Sequence, residues 1–150
     1  MGILEDIKQK RAFRNEHQKA VVNILFTYSW LQEKIRLSIE PFDITMQQYN
    51  VLRILRGSHP DPISTQEIRK RMLDKMSDVS RIVDRLILKK LVMKRVCDAD
   101  KRLVDVSISK SGLELLSTMD AYENEMDSVI QNISESEAAE LNRILDKMRQ

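Results

Sequence analysis

The stretch Asp100–Gly112, DKRLVDVSISKSG, decides the fold, because it alternates apolar and polar residues in a chain that otherwise shows helical patterns. Val104, Val106 and Ile108 fall at every second position, the period of a strand with one buried face. Upstream, Leu91–Cys97 (LVMKRVC) also has the composition of a strand, and the charged segment DADK lies between the two. This pattern predicts a β-hairpin over residues 91–109.

Helical patterns precede the hairpin. Apolar residues at three- and four-residue spacing predict one long helix over residues 4–35, which ends before Pro41–Asp43. Thr45 and Gln48 match a capping box that opens a second helix, and Gly57 closes it. Ser64 and Glu67 match another, opening a short helix through Met72. A further helix is predicted from about residue 74 or 77 to residue 90.

Two more helices are predicted after the hairpin. Apolar spacing from Leu116 to Ile133 predicts a long amphipathic helix, and Ser134 with Glu137 begins a final one. The fold class is therefore mainly α with one β-hairpin and six helices, in the order of a winged helix-turn-helix. In that arrangement the second helix of the turn enters the DNA major groove and the hairpin reaches the flanking backbone or minor groove.

Charge is distributed unevenly along the chain. Residues 64–102 contain 12 Lys and Arg against 6 Asp and Glu, a net charge of +6, whereas residues 113–150 contain 3 against 9, a net charge of −6. A basic middle segment predicts an anion-facing region.

The segment Ser77–Leu86 (SDVSRIVDRL) is the predicted DNA-reading helix. Its apolar residues share one face, and small hydroxyls alternate with arginines on the other. Arginine supplies paired donors for guanine edges or phosphate. Alternatively, this is an ordinary surface helix with solvated charges, in which Asp78 pairs with Arg81 or Arg85; the capped helix before it and the hairpin after it favour the DNA-reading role.

The tip of the hairpin has the same two interpretations. A charged turn usually only aids solubility, but Lys101 and Arg102 also suit a wing whose arginine lies in a narrow minor groove. Asp100 is then expected to hold Arg102 in place.

The sequence resembles the MarR family of bacterial transcriptional regulators. The resemblance rests on ITMQQYNVLRIL (Ile44–Leu55), PISTQEI (Pro62–Ile68), VSRIVDRLILKKLVMKR (Val79–Arg95) and the opening stretch. That stretch is similar to the family's wing signature, Asp-x-Arg, three residues, Val, then Leu-Thr-x-x-Gly. Three positions depart from the family pattern: Lys90 replaces a glycine after the recognition helix, which suggests a different helix end, Ala99 replaces an arginine before the wing aspartate, and Ile108–Ser109 replaces Leu-Thr.

The resemblance implies a symmetric homodimer built from the N- and C-terminal helices, with residues 1–40 and 110–150 as dimerisation helices and residues 43–109 as the winged region of a single MarR-like chain. It also implies a repressor that binds a pseudo-palindromic operator and releases it on binding a small, often aromatic, effector. Tyr28 and Trp30 are the best aromatic candidates for the ligand pocket or for dimer contacts.

Other chemistry has little support. The two histidines, His17 and His59, lie far apart and the chain has one cysteine, so no metal-site spacing occurs and no catalytic set is suggested. With three glycines there is no phosphate loop. We therefore expect no enzyme activity, cofactor or metal. Cys97 is interpreted as structural rather than as a redox sensor.

The longest uncharged run, Ala20–Gln32, is too short for a membrane span, and residues 1–8 lack an apolar signal segment. A cytoplasmic location is expected.

The leading hypothesis is a sequence-specific, dimeric DNA-binding regulator; the alternative is a winged-helix module that docks a protein and does not bind DNA. The predicted DNA-binding residues are Thr65, Gln66, Lys75, Ser77, Asp78, Ser80, Arg81, Arg85, Lys101 and Arg102.

Overall fold

The structure, a computed structural model, describes residues 2–96, 99–100, 102, 104–122 and 127–150. Seven α-helices and three strands occur among these residues. The chain divides into two compact units, Met1–Met46 and Gln47–Gln150. None of the described helices combines the length and apolar character needed to cross a bilayer.

The first unit contains two helices where the sequence predicted one. Helix α1 is a single turn, Ile3–Asp6, and α2 spans Glu16–Ile39, followed by a 3-10 turn at Glu40–Phe42. The prediction of one helix over residues 4–35 was therefore wrong. Asn15 caps α2 by accepting a hydrogen bond from the Gln18 N–H at 2.8 Å, and Lys8 has a left-handed φ of 53° that interrupts the helix before it.

The second unit begins with the helices that frame the turn. Helix α3 spans Met46–Ser58, α4 spans Thr65–Arg71 and α5 spans Val79–Leu88. These three predicted helices are confirmed, although α3 runs one residue past Gly57. In each helix one apolar stripe is buried and the other face is exposed. The fully buried side chains of these helices include Val51, Leu52, Leu55, Ile68, Val79, Val83 and Leu86.

The hairpin is confirmed as two antiparallel strands, β2 (Val92–Val96) and β3 (Val104–Ile108). Val92 pairs with Ile108 and Val96 with Val104. A third strand, β1 (Ile63–Ser64), pairs with the other edge of β3, so the sheet order is β1-β3-β2. The sequence analysis did not predict β1. The alternating side chains of β3 at Val106 and Ile108 are buried, as the period of two requires.

Two more α-helices follow among the residues that the structure describes. Helix α6 spans Lys110–Asp120 and α7 spans Glu135–Met148, with a 3-10 turn at Ser128–Ile130 between them. The prediction of one helix continuing to residue 133 was therefore wrong. The capping box that opens α7 is confirmed: the Ser134 hydroxyl accepts from the Glu137 N–H, and the Glu137 carboxylate accepts from the Ser134 N–H at 2.7 Å.

The base of the hairpin joins two helices. At the end of α5, the Lys90 N–H donates to the Ile87 carbonyl at 2.9 Å and the Leu91 N–H to the Leu86 carbonyl at 3.0 Å. These are the two hydrogen bonds of a Schellman motif. Lys90 lies in the left-handed region with φ 60°. The expectation of a different helix end was therefore wrong, since lysine adopts the conformation usually reserved for glycine.

Candidate nucleic-acid interface

The first helix of the turn is positioned by its cap. The Ser64 hydroxyl accepts from the Glu67 N–H at 3.1 Å. Among the hydrogen bonds of the described residues, the Glu67 carboxylate accepts from Arg71 at 2.9 Å, rather than from the cap. The cap leaves Thr65 half-buried and Gln66 exposed in the first turn of α4. Of this pair, Gln66 presents its side chain to solvent.

The turn between α4 and α5, residues 72–78, is fixed by several backbone N–H groups. The Leu73 N–H donates to Asn50 Oδ1 at 2.9 Å, which ties the turn to α3. The Met76 N–H donates to Asp74 Oδ1 at 2.9 Å. Lys75 is exposed, and its ammonium group donates to the Lys70 carbonyl. The predicted contact residue Lys75 thus lies beside the end of α4.

The start of α5 separates the predicted contact residues into two groups. Asp78 is the N-cap, and its carboxylate accepts from the Arg81 N–H at 3.2 Å. The Ser77 hydroxyl oxygen is buried and has no hydrogen-bond partner among the described residues. Ser80, by contrast, is exposed. In this geometry Asp78 caps the helix and the Ser77 hydroxyl is buried, whereas Ser80 faces outward.

Two arginines dominate the exposed face of α5. The Arg81 side chain is 74% exposed and its Nε lies 3.9 Å from the Asp78 carboxylate. This distance is too long for a strong hydrogen bond, so the guanidinium can reach a ligand with little loss. Arg85 is also exposed and makes no ion pair within the part of the chain that the structure describes. Four residues separate the two, so they lie on one side of the helix.

Helix α5 is also linked to the hairpin. The Lys94 ammonium on β2 donates to Asp84 Oδ1 on α5 at 3.3 Å. Neither Asp84 nor Lys94 was assigned a role from the sequence. The contact neutralises the carboxylate on the exposed face of α5, where it would otherwise repel a phosphate backbone.

Near the hairpin tip, Asp100 holds Arg102 through three hydrogen bonds. The Arg102 Nε donates to Asp100 Oδ1 at 3.0 Å and Nη2 donates to Oδ2 at 3.2 Å, while the Arg102 N–H donates to Oδ1 at 3.0 Å. These bonds to the arginine side chain and backbone lower the pKa of the Asp100 carboxyl below its ordinary value. The Arg102 side chain nevertheless remains 91% exposed. The guanidinium is therefore oriented and still accessible.

Four other residues were singled out from the sequence: Lys101, Cys97, Tyr28 and Trp30. Lys101 and Cys97 lie outside the described residues. Tyr28 and Trp30 lie on α2 and are 53% and 41% exposed, and the Tyr28 hydroxyl accepts from the Gln32 amide at 2.6 Å. Among the described residues no cluster of three or more His, Cys, Asp or Glu side chains could hold a metal ion.

The arrangement of α4, a tied turn, α5 and a three-stranded sheet defines a winged helix-turn-helix protein. Residues 42–103 match the model of the MarR family. This match covers the winged segment and confirms the resemblance found in the sequence. No curated protein matches the chain.

Solved structures of MarR proteins share the fold over nearly the whole chain. A MarR transcription factor from Planctomyces limnophilus is 27% identical, with a TM-score of 0.70 over 90% of this chain and 98% of that chain. A mutant MarR from E. coli complexed with operator DNA is 23% identical, with a TM-score of 0.80 over 92% and 99% of the respective chains. BpsR from Bordetella bronchiseptica, whose DNA binding is regulated by 6-hydroxynicotinic acid, is 23% identical, with a TM-score of 0.76 over 87% and 99%.

Proposed function

We propose that this protein is a sequence-specific DNA-binding transcriptional regulator of the MarR type, acting in the cytoplasm without catalysis. The observation that carries the proposal is the shared exposure of Arg81 and Arg85 on the helix that follows the tied turn, beside a hairpin bearing the oriented Arg102. A recognition helix needs an exposed face of hydrogen-bond donors and a buried face that fixes its angle. Helix α5 has both, since Val79, Val83 and Leu86 are buried.

The two parts of the interface have different chemistry. Ser80, Arg81 and Arg85 are exposed on α5 and Gln66 is exposed in the first turn of α4, and side chains of these types suit base edges in the major groove. Arg102 is held by a carboxylate at the hairpin, and a fixed arginine suits a narrow minor groove with enhanced negative potential. The E. coli MarR relative was solved with operator DNA, and the same mode of binding is proposed for this chain.

We propose further that the active form is a homodimer. Helix α7 has no buried residue, and its apolar side chains at Leu141, Ile144 and Met148 are 43–55% exposed along one face. Helix α2 also exposes apolar side chains, including Val21, Leu25 and Tyr28. Apolar stripes of this length are usually covered in solution, and a symmetric partner covers them with the same surface.

A small-molecule effector is proposed to weaken DNA binding. BpsR provides the precedent, because its DNA binding is regulated by 6-hydroxynicotinic acid. Tyr28 and Trp30 remain the proposed aromatic contacts for such a ligand. Tryptophan fluorescence during titration with aromatic carboxylic acids tests this part, because the chain contains a single Trp.

The decisive experiment measures binding to DNA by fluorescence anisotropy at several salt concentrations. A duplex selected from random sequences by the full-length protein is compared with a scrambled duplex of the same composition. We expect tighter binding to the selected duplex and an inverse dependence of log K on log salt. Arg143→Ala serves as the control for losing one exposed arginine outside the winged region. If neither duplex is bound at low salt, the protein-docking alternative is favoured.

Footprinting and sedimentation test whether the protein binds its operator as a symmetric dimer. Two copies of α5 must enter successive major grooves, so protected half-sites should lie about 10 bp apart or a multiple of that spacing. Deleting Ser134–Gln150 should give monomers or aggregates. A full-length protein that dissociates to folded monomers on modest dilution, with a single asymmetric half-site protected, would contradict the dimer.

A further inference from the structure

Two large apolar side chains protrude from the turn of the helix-turn-helix. Leu73 is 88% exposed and Met76 is 91% exposed, more than any other large apolar residue that the structure describes. By contrast, the nearby apolar residues Met72 and Val79 are almost completely buried. Turns normally carry polar residues where they meet water. A pair of exposed apolar residues within a proposed DNA-reading surface therefore requires a partner.

The backbone of the turn holds both side chains outward. Asn50 on α3 accepts from the Leu73 N–H at 2.9 Å. Asp74 accepts from the Met76 N–H at 2.9 Å through its side chain, and from the Ser77 N–H at 3.3 Å through its carbonyl. These bonds fix the backbone on both sides of residue 75, and both side chains are exposed. We define the apolar knob as Leu73 and Met76.

The position of the apolar knob indicates which partner covers it. Met76 lies two residues before the N-cap Asp78, and the N-terminal residues of a recognition helix are those that contact base edges. Lys75, a predicted DNA contact, lies between the two residues in the chain, and Ser80 of the proposed major-groove surface follows them. The major groove displays one apolar group, the C5 methyl of thymine. Leucine and methionine offer flexible apolar tips that can cover such a methyl.

We propose that the apolar knob contacts thymine methyl groups in the major groove of the operator and so sets a preference for thymine at one or two positions of each half-site. The inference rests on the proposed DNA-binding function. The alternative occupant, a second copy of this chain, is disfavoured because the apolar stripes available for self-association lie on α2 and α7.

The test replaces thymine by uracil, which removes the methyl group and leaves the base-pairing edge unchanged. The probe is the duplex selected from random DNA by the full-length protein, with uracil introduced at one thymine position at a time. We expect wild-type affinity to fall about fourfold for each contacted methyl group. In Leu73→Ala, Met76→Ala and the double variant, the uracil effect at that position should shrink towards onefold.

Two controls isolate the contact. Leu88→Ala truncates another leucine that is 82% exposed, at the opposite end of α5, and should keep the full uracil effect. Arg81→Ala should bind DNA more weakly, but the ratio of its affinities for the thymine and uracil duplexes should equal that of wild type. Sedimentation of the double variant should give the same assembly state as wild type.

The outcomes separate the two proposals. Wild type that binds the selected duplex but shows no uracil effect at any position overturns the thymine contact and leaves the DNA-binding function intact. A uracil effect that persists in the double variant also overturns it, as does a change in assembly state. Absence of binding to any selected duplex overturns the proposed function itself.

Discussion

Replacing Lys90 by glycine should stabilise the protein relative to replacing it by alanine. Lys90 occupies the left-handed position after α5 with φ 60°, where a Cβ atom approaches the following carbonyl oxygen. The cost of this conformation for a residue other than glycine is about 1–2 kcal/mol. Glycine removes this cost but gains about 0.4–1 kcal/mol of conformational freedom in the unfolded chain. The backbone effect alone should therefore make Lys90→Gly more stable than Lys90→Ala by about 0.5–1 kcal/mol.

The contribution of the Lys90 side chain to stability must be separated from that of the backbone conformation. A lysine near the C-terminus of a helix also interacts favourably with the helix dipole, by about 0.3–1 kcal/mol. Lys90→Ala removes the charge but keeps the Cβ atom, so the difference between the glycine and alanine variants isolates the left-handed strain. Lys89 provides the reverse comparison, since it lies in the right-handed region with φ −79°. There, glycine should be less stable than alanine by about 0.5–1 kcal/mol.

The assay is urea unfolding followed by circular dichroism at one fixed protein concentration, because the stability of the proposed dimer would depend on concentration. In thermal unfolding, a shift of about 1–4 °C in Tm should accompany the change for a chain of this size. Both hydrogen bonds of the motif use the backbone, so they survive all four substitutions. If Lys90→Gly is no more stable than Lys90→Ala, residue 90 does not adopt the left-handed conformation and the assignment of this helix end is wrong.

Three further predictions concern the hairpin and the reading surface. Gly112→Ala should destabilise the fold by about 1–3 kcal/mol or more in urea unfolding, since an added Cβ would lie 2.3 Å from the Leu91 carbonyl oxygen; Gly57→Ala, with no atom within 4 Å of its added Cβ, should be neutral or stabilising. Arg81→Ala should weaken binding to the selected duplex more than to scrambled DNA, whereas Arg102→Ala should weaken both similarly and reduce the salt slope by about one per subunit; equal binding by Arg102→Ala and wild type at every salt concentration would exclude the hairpin as a DNA wing. The Asp100 carboxyl should titrate below its ordinary pKa in an NMR experiment and return towards it in Arg102→Ala, because the lowered pKa comes from the arginine. The contribution of this contact to folding is then present above the unfolded-state pKa and is lost as the pH falls through the lowered value; an unchanged titration in the variant would refute the contact.

The sequence was most informative where local signals coincide with burial. Capping residues at Ser64 and Ser134 precede apolar stripes, and both mark the starts of helices in the structure. The alternation in β3 likewise predicted a strand with one buried face. In these segments the local preference and the tertiary packing favour the same structure, so the sequence pattern predicts the element correctly.

Elements that depend on distant partners were missed. Strand β1 has two residues, Ile63 and Ser64, and exists because Val106 and Asp105 on β3 offer a free edge. No local pattern of that length distinguishes a strand from a loop. The break before α2 did carry a signal, since Asn15 and Gln18 have capping spacing, but the apolar period beyond it was extended backwards instead. The helix predicted after the hairpin instead ends at Asp120, and Tyr122 and Ile130 beyond that end are 48% and 42% exposed.

The reading surface was harder to predict than the fold, because exposure does not follow from residue type. Ser77 and Ser80 are chemically identical, yet the Ser77 hydroxyl is buried and Ser80 is exposed. Asp78, a predicted contact, also caps α5. Leu73 and Met76 were not selected at all, since apolar residues suggest a core. Which side chain faces outward is set by the start of α5, which a sequence pattern locates only to within a few residues.

The base of the hairpin explains how helix and wing can act together. The Leu91 carbonyl accepts from the Ser109 N–H at 3.0 Å, and the Ser109 hydroxyl donates to the Lys90 carbonyl at 2.8 Å while accepting from the Gly112 N–H at 3.0 Å. One serine thus caps α6 and binds the end of α5. With the contact between Lys94 and Asp84 higher on the hairpin, α5 and the sheet are joined at two levels. Because both joints restrict rotation of the hairpin about α5, the folded chain itself defines the spacing between Arg81 and the hairpin. The proposed binding to DNA then need not supply the entropy of ordering the two parts.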